Sequence, residues 1–239
     1  NMAYLTGTYP LYGWDELPGI LNPDPEEGHL EDIWVSRDPR LQAIWDEYFR
    51  GIGVVHLFKV TASPSNLLFT NREISSLADM VGMKVRVSGE MGNLSVSALG
   101  LEPVQVSWSE VAVAARTGIV DGVVTEYPTG ILDWQLDQVY QYAIPLPIGP
   151  AWPDNVVMNA ELFDSLPADL QEIIMETSDL LEDLNAVDAH RTQLMYAERA
   201  AGLGVEQVAL PEAEIAKAQG LLKSVEEEWL ERTGPDGAE

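Results

Sequence analysis

The chain contains no cysteine, which excludes disulfides and thiolate metal sites. Basic residues are scarce: 13 Lys and Arg stand against 39 Asp and Glu, a formal net charge of −26. That balance argues against a nucleic-acid ligand, because phosphate binding needs a basic footprint. The three histidines, His29, His56 and His190, are scattered, with no HExxH pair to share a helix face. Neither a G-x-S-x-G elbow nor a P-loop lysine occurs. No stretch reaches the about 20 apolar residues needed to span a bilayer, so no direct membrane insertion is expected. The chain opens Asn1-Met2-Ala3 without a charged n-region or an apolar h-region, so no signal peptide is read. What is present is ordinary for a globular protein: 239 residues, 46% of them apolar, enough to bury a sizeable core. No cofactor is expected.

In chain order, Pro18 to Gly28 is a proline-rich acidic loop. Leu30 to Phe49 has helical periodicity interrupted by Pro39, and Gly51-Ile52-Gly53 ends it. Those glycines follow a helix, so they do not form a dinucleotide fingerprint, which needs a strand before them. Val54–Thr61 and Leu67–Thr70 read as strands, Ile131–Tyr142 as a helix with Trp134 and Val139 inward, and Asn155–Met158 as a further strand. Ser165 is expected to cap a helix with Pro167 in its first turn. Apolar residues from Leu170 to Leu194 then recur at helical spacing with no obvious stop before Gly202, far beyond the about 10–14 residues usual for a helix. The alternative is two helices broken near Asn185. Val205–Leu210 is expected to be a strand and Pro211–Leu230 an amphipathic helix.

Gly82 to Pro128 is the stretch around which the rest is organised. Met83, Val85 and Val87 alternate with Lys84 and Arg86, the period of a strand. A helix follows, then a strand at Val104–Val106, then Ser107-Trp108-Ser109-Glu110, which has the spacing of a capping box. After that helix stops at Gly118, Ile119–Thr125 gives a third strand, and the order βαβαβ implies a parallel sheet. Open α/β sheets bind ligands outside the carboxyl ends of their strands. Arg86, Trp108 and Thr125 to Tyr127, with Glu126 between, fall at or just beyond such ends, which would bring a cation, an aromatic face and a hydroxyl or carboxylate together. A guanidinium suits a carboxylate because its planar fork donates two parallel hydrogen bonds. The plainer reading of Arg86, a solvated strand residue beside Lys84, stays open at this point.

The runs GMKVRV and LGLEPVQVSWSEVAVAARTGIVDGV, continued by NAELFDSLPADLQEII, resemble the solute-binding proteins of tripartite ATP-independent periplasmic (TRAP) transporters in order and spacing. The resemblance implies an α/β fold of two lobes, like periplasmic binding proteins of type II, with mostly parallel sheets and a long helix spanning both. Residues 1–64 and 152–190 would form one lobe, short of its N-terminal portion, and 65–151 with 191–239 the other. It implies a periplasmic protein, not an enzyme, that captures a small organic acid by its carboxylate and hands it to the membrane permease of a TRAP transporter. Arg86 inherits the carboxylate, Trp108 packs on the ligand, and Thr125 stands where the family commonly has Asn. Asn66 occupies a position where several members carry a second Arg, which favours a ligand with one carboxylate. Thr6 is placed near the cleft, and Trp152 either lines it or covers the core at the lobe boundary. Some members bridge ligand and protein with a metal ion, for which Glu126 is a conceivable ligand beside its reading as a surface acid. The competing class is an enzyme acting on a small organic acid with Glu126 or Asp121 as base.

Overall fold

The computed structural model describes residues 6, 8–20, 34–35, 37–63 and 66–234. A 3-10 turn, Pro10–Glu16, precedes helix α1, Pro39–Gly51. Pro39 does not interrupt that helix but begins it. Asp38 caps the end by accepting from the Arg40 amide at 2.9 Å, and a proline in the first turn forfeits no hydrogen bond. Strand β1, Val54–Ser63, pairs antiparallel with the distant β7, Ala151–Asn159, and bulges between His56 and Phe58.

The second sheet holds β2 (Asn66–Thr70), β3 (Lys84–Arg86), β4 (Glu102–Pro103), β5 (Gly122–Thr125), β6 (Tyr142–Leu146) and β8 (Glu206–Gln207), in the order β4-β3-β5-β2-β6-β8. β3 runs parallel to both β4 and β5, as the βαβαβ reading requires, through α2 (Glu90–Ala98) and α3 (Val111–Thr117). β2 enters antiparallel between β5 and β6, so this sheet is mixed. Alternation along the strands gives it two apolar faces. Leu68, Val85, Val124 and Ile144 face α2, the 3-10 turn and the C-terminal helix α6, Glu212–Thr233. Leu67, Phe69, Val123 and Ala143 share the other core with Val111, Tyr127, Trp134 and Tyr140.

Several expected elements take other forms. Val104–Val106 is not strand: β4 closes at Pro103, although the Val104 amide still donates to Val85 O at 2.8 Å. Ile131–Tyr142 is not one helix but a π turn, Thr129–Asp133, and a 3-10 turn, Leu136–Gln138, separated by Gln135 at φ 51°. A left-handed residue there stops helical hydrogen bonding. Ser165 does not cap a helix. Its hydroxyl donates to Leu162 O, closing α4 (Ala160–Asp164), and Pro167 is itself the residue before α5, Ala168–Gly202. Val205–Leu210 contributes only the short β8.

Helix α5 runs unbroken through Asn185 for 35 residues, about 50 Å at the usual rise. It packs along β1 at one stage and reaches β8 at its far end, so it ties the two sheets together. Its buried residues are Ser178, Ala186, Gln193 and Ala200, short or slender side chains that allow close approach. Ile173, Leu180, Leu184 and Val187 lie on the open side among the described residues.

Candidate functional site

Arg86 is the last residue of β3 and pairs with Val123 of β5. Because side chains alternate along a strand, Arg86, Val123 and Thr125 fall on the same face of the sheet. The Arg86 side chain is buried, with 2% of its surface exposed. The reading of a solvated strand residue is thereby overturned for Arg86, while Lys84, two residues earlier, is exposed. Its guanidinium lies over the indole of Trp134, 5.0 Å from the ring centroid. A desolvated cation–π contact contributes on the order of 2 kcal/mol. Burying a guanidinium costs several kcal/mol, so this contact offsets only part of the penalty.

Trp134 in turn touches Trp108, whose ring centroid is 4.5 Å away with planes inclined at 54°. Trp108 opens the 3-10 turn Trp108–Glu110 and remains 42% exposed. The expected capping box does not form: the Ser107 side chain caps no backbone amide, and its hydroxyl donates instead to Glu110 Oε2. Arg86, Trp134 and Trp108 therefore form a continuous file from the buried strand end toward solvent.

The neighbouring strand ends close the same rim. Thr125 is buried and its hydroxyl donates to Glu126 Oε2 at 2.7 Å. Glu126 is also buried, and its Oε1 accepts from the Thr129 amide at 3.0 Å and from the Thr129 hydroxyl. One of its oxygens is thus spent on the end of β5 and the other on the turn that leads to Trp134. Leu67 pairs with Thr125, which brings Asn66 to the rim one residue further on. The Asn66 amide donates to Gly149 O at 3.0 Å and Pro150 O at 3.1 Å, fastening the start of β2 to the return before β7. Thr6 is buried at the start of the described chain. Trp152 lies within β7, but its side chain is outside the described residues.

Asp121 stands at the opposite end of β5. It accepts from the Lys84 amide at 2.8 Å and its backbone completes the β3–β5 pairing, so it is not beside Arg86 as a base would have to be. No group of three His, Asp or Glu side chains suited to a metal ion occurs among the described residues. Sequence reasoning missed Trp134. Helical periodicity assigned it to the core, and it is core at 3% exposure, yet the core it joins is the one that floors Arg86.

Parallel strands ending in a buried guanidinium beneath an aromatic pair match the place where open α/β sheets bind ligands. Residues 50–233 match the family model for bacterial extracellular solute-binding protein, family 7 (DctP), and the chain belongs to that family. That family is one of extracellular solute-binding proteins rather than of enzymes. A curated relative, the C4-dicarboxylate-binding periplasmic protein DctP of Rhodobacter capsulatus, is 26% identical over 175 residues, covering 71% of this chain and 51% of the relative. The chain thus spans about half the length of that relative. Among solved structures, the fold is similar to DctP7 of Bordetella pertussis, an extracytoplasmic solute receptor binding pyroglutamic acid (TM-score 0.83, 22% identity, 98% of this chain and 74% of that one). It is similar too to a Desulfovibrio salexigens TRAP solute-binding protein with bound orotic acid (0.85, 22%, 99% and 74%). A third is the periplasmic ectoine-binding protein of the TeaABC TRAP transporter of Halomonas elongata (0.86, 18%, 99% and 76%). The expected two-lobed α/β fold with a long helix is therefore found.

Proposed function

We propose that this protein captures a small organic acid by its carboxylate and delivers it to the membrane permease of a TRAP-type transporter. The observation that carries the reading is the burial of Arg86 at the carboxyl rim of parallel strands, against the face of Trp134. A guanidinium held there presents a planar donor fork to a carboxylate in a medium where the ion pair is stronger than at a surface. Trp108 covers the apolar body of the ligand, and Thr125 with Glu126 shapes the strand end beneath it. Asn66 offers no charge where a second cation would hold a dicarboxylate, and its amide is engaged with Gly149 and Pro150. That favours an acid with one carboxylate. The acids named for the similar Bordetella and Desulfovibrio structures, pyroglutamic and orotic, fit this class. Closure of the lobes around the ligand would exclude water and commit it.

Calorimetry with monocarboxylates, 2-oxo acids, dicarboxylates and sugar acids tests the reading. Arg86→Ala is expected to weaken the best acid by about 3 kcal/mol or more, as for stripping one partner from a buried charge pair. Arg86→Lys should retain part of the affinity while losing the bidentate geometry. Unchanged binding by Arg86→Ala would refute the anchor.

A further inference from the structure

We infer that Trp134 is a specificity-determining residue of the ligand site, whose indole N–H donates to a second acceptor, a carbonyl or ring oxygen, beside the carboxylate held on Arg86. This rests on the carboxylate reading of Arg86 given above. Three observations converge. The indole is 3% exposed and carries the Arg86 guanidinium 5.0 Å from its ring centroid. Trp108 lies 4.5 Å away on the path from that guanidinium to solvent. Nε1 of Trp134 is buried with no hydrogen-bond partner among the described residues.

Buried tryptophan N–H groups ordinarily find an acceptor. In the turn that precedes it, Thr129 O is taken by the Trp134 backbone amide at 3.1 Å, so that carbonyl is spent on the backbone rather than on the indole. The indole N–H projects in the plane of the ring, at its edge. Contact of a cation with the ring face leaves that donor unspent, so Trp134 can position the guanidinium and still offer a hydrogen bond. Trp229, another buried indole, satisfies its N–H on Pro10 O at 2.8 Å, whereas the buried Trp14 N–H, like that of Trp134, has no partner among the described residues but carries no guanidinium of Arg86 on its ring. A site that keeps a buried donor for its ligand discriminates sharply against analogues that lack the acceptor, because the donor is then stranded. The ligand class is accordingly narrowed to small acids bearing an oxygen acceptor close to the carboxylate, such as 2-oxo acids and cyclic amide acids.

The experiment pairs acids that differ in that acceptor: 2-oxovalerate against valerate, and pyroglutamate against cyclopentanecarboxylate. Each is titrated by calorimetry into the full chain as wild type, Trp134→Phe, Trp134→Leu and Arg86→Ala, with near-ultraviolet circular dichroism confirming the fold. Trp134→Phe keeps the aromatic face and removes the donor. It should weaken an oxo acid by about tenfold, the value of one buried hydrogen bond, and leave its partner acid within about twofold. Trp134→Leu should weaken all acids, since the guanidinium loses its ring. Wild-type affinities in both Trp134 variants, with Arg86→Ala abolishing binding, would overturn this inference and leave the carboxylate reading standing. An equal loss for both members of a pair in Trp134→Phe would also overturn it, because packing alone would then explain the residue. Failure of wild type to bind any of the acids, or indifference to Arg86→Ala, would overturn the carboxylate reading and this one with it.

Discussion

His56 gives the protein a predictable acid sensitivity. Its ring stacks on Phe49 at 4.9 Å and meets Trp45 edge-on at 4.9 Å, and one ring nitrogen lies 2.8 Å from Asn155 Oδ1. Burial, opposed in part by the Asn155 hydrogen bond and aided by the nearby Lys59 charge, lowers its pKa to about 4. An unfolded histidine titrates near 6.5. Between those values the unfolded chain takes up a proton that the fold refuses, so stability falls as pH falls from about 6.5 to 4. The loss from pH 8 to pH 5 works out at about 2 kcal/mol, rising to about 3 kcal/mol below pH 4. Buried Glu16, pushed well above the usual carboxyl range by burial and by Asp15 and Asp154, slopes the other way. Its contribution is common to wild type and a His56 variant and cancels in their difference. Urea unfolding of wild type and His56→Gln at pH 8, 7, 6 and 5 isolates the effect. The stability advantage of wild type should shrink by about 2 kcal/mol across that series. A difference constant within about 0.5 kcal/mol would show that His56 protonates freely in the fold, and the packing argument would fail.

Gly149 adopts φ +92° where the chain returns toward β7, and a Cβ there would lie 2.4 Å from Glu16 O and 3.0 Å from Leu17 O. Gly149→Ala should cost about 3 kcal/mol in denaturant unfolding, the sum of overpacking and left-handed strain. Gly118→Ala, at φ +72° with nothing within 4 Å, should cost only about 1 kcal/mol, and equal costs would refute the contact. Ionic strength supplies another test. With a net charge of −26, long-range repulsion should slow an anionic ligand, so stopped-flow association is expected to accelerate about threefold between 10 and 300 mM salt. A rate that falls with salt would mean that the cleft steers anions despite the surrounding surface.

The parallel core of the second sheet was legible because alternation in Met83–Val87 and the glycine-punctuated runs to Thr125 are local signals. Arg86 was placed at the rim by those signals alone. β2 was recognised as a strand, but its antiparallel insertion between β5 and β6 was not legible, since pairing partners far apart in sequence leave no local mark. The segment after Pro128 misled for a related reason. Its apolar spacing fits a helix, yet Gln135 at φ 51° breaks the hydrogen bonding, and no residue type there announces it. Trp134 was consequently read as inward packing. Its contact with a cation from another strand exists only in three dimensions. Glu126 shows the converse: a carboxylate after a strand looks chemically available in sequence, whereas in the fold Thr125 and Thr129 occupy both oxygens.

The charge of the chain and the chemistry of its proposed ligand pull in opposite directions, and the fold resolves this by distance. Screening in physiological salt removes most of a field beyond about 8 Å, so surface carboxylates act on the approach of an anion more than on its bound state. Among the described residues, the rim holds a guanidinium buried against an indole and a carboxylate whose oxygens accept hydrogen bonds from two threonines. Tying Glu126 down in this way limits how closely its charge can approach an acid on Arg86. Loosening it, as in Thr129→Val, should therefore weaken acid binding more at low salt than the loss of packing alone would explain.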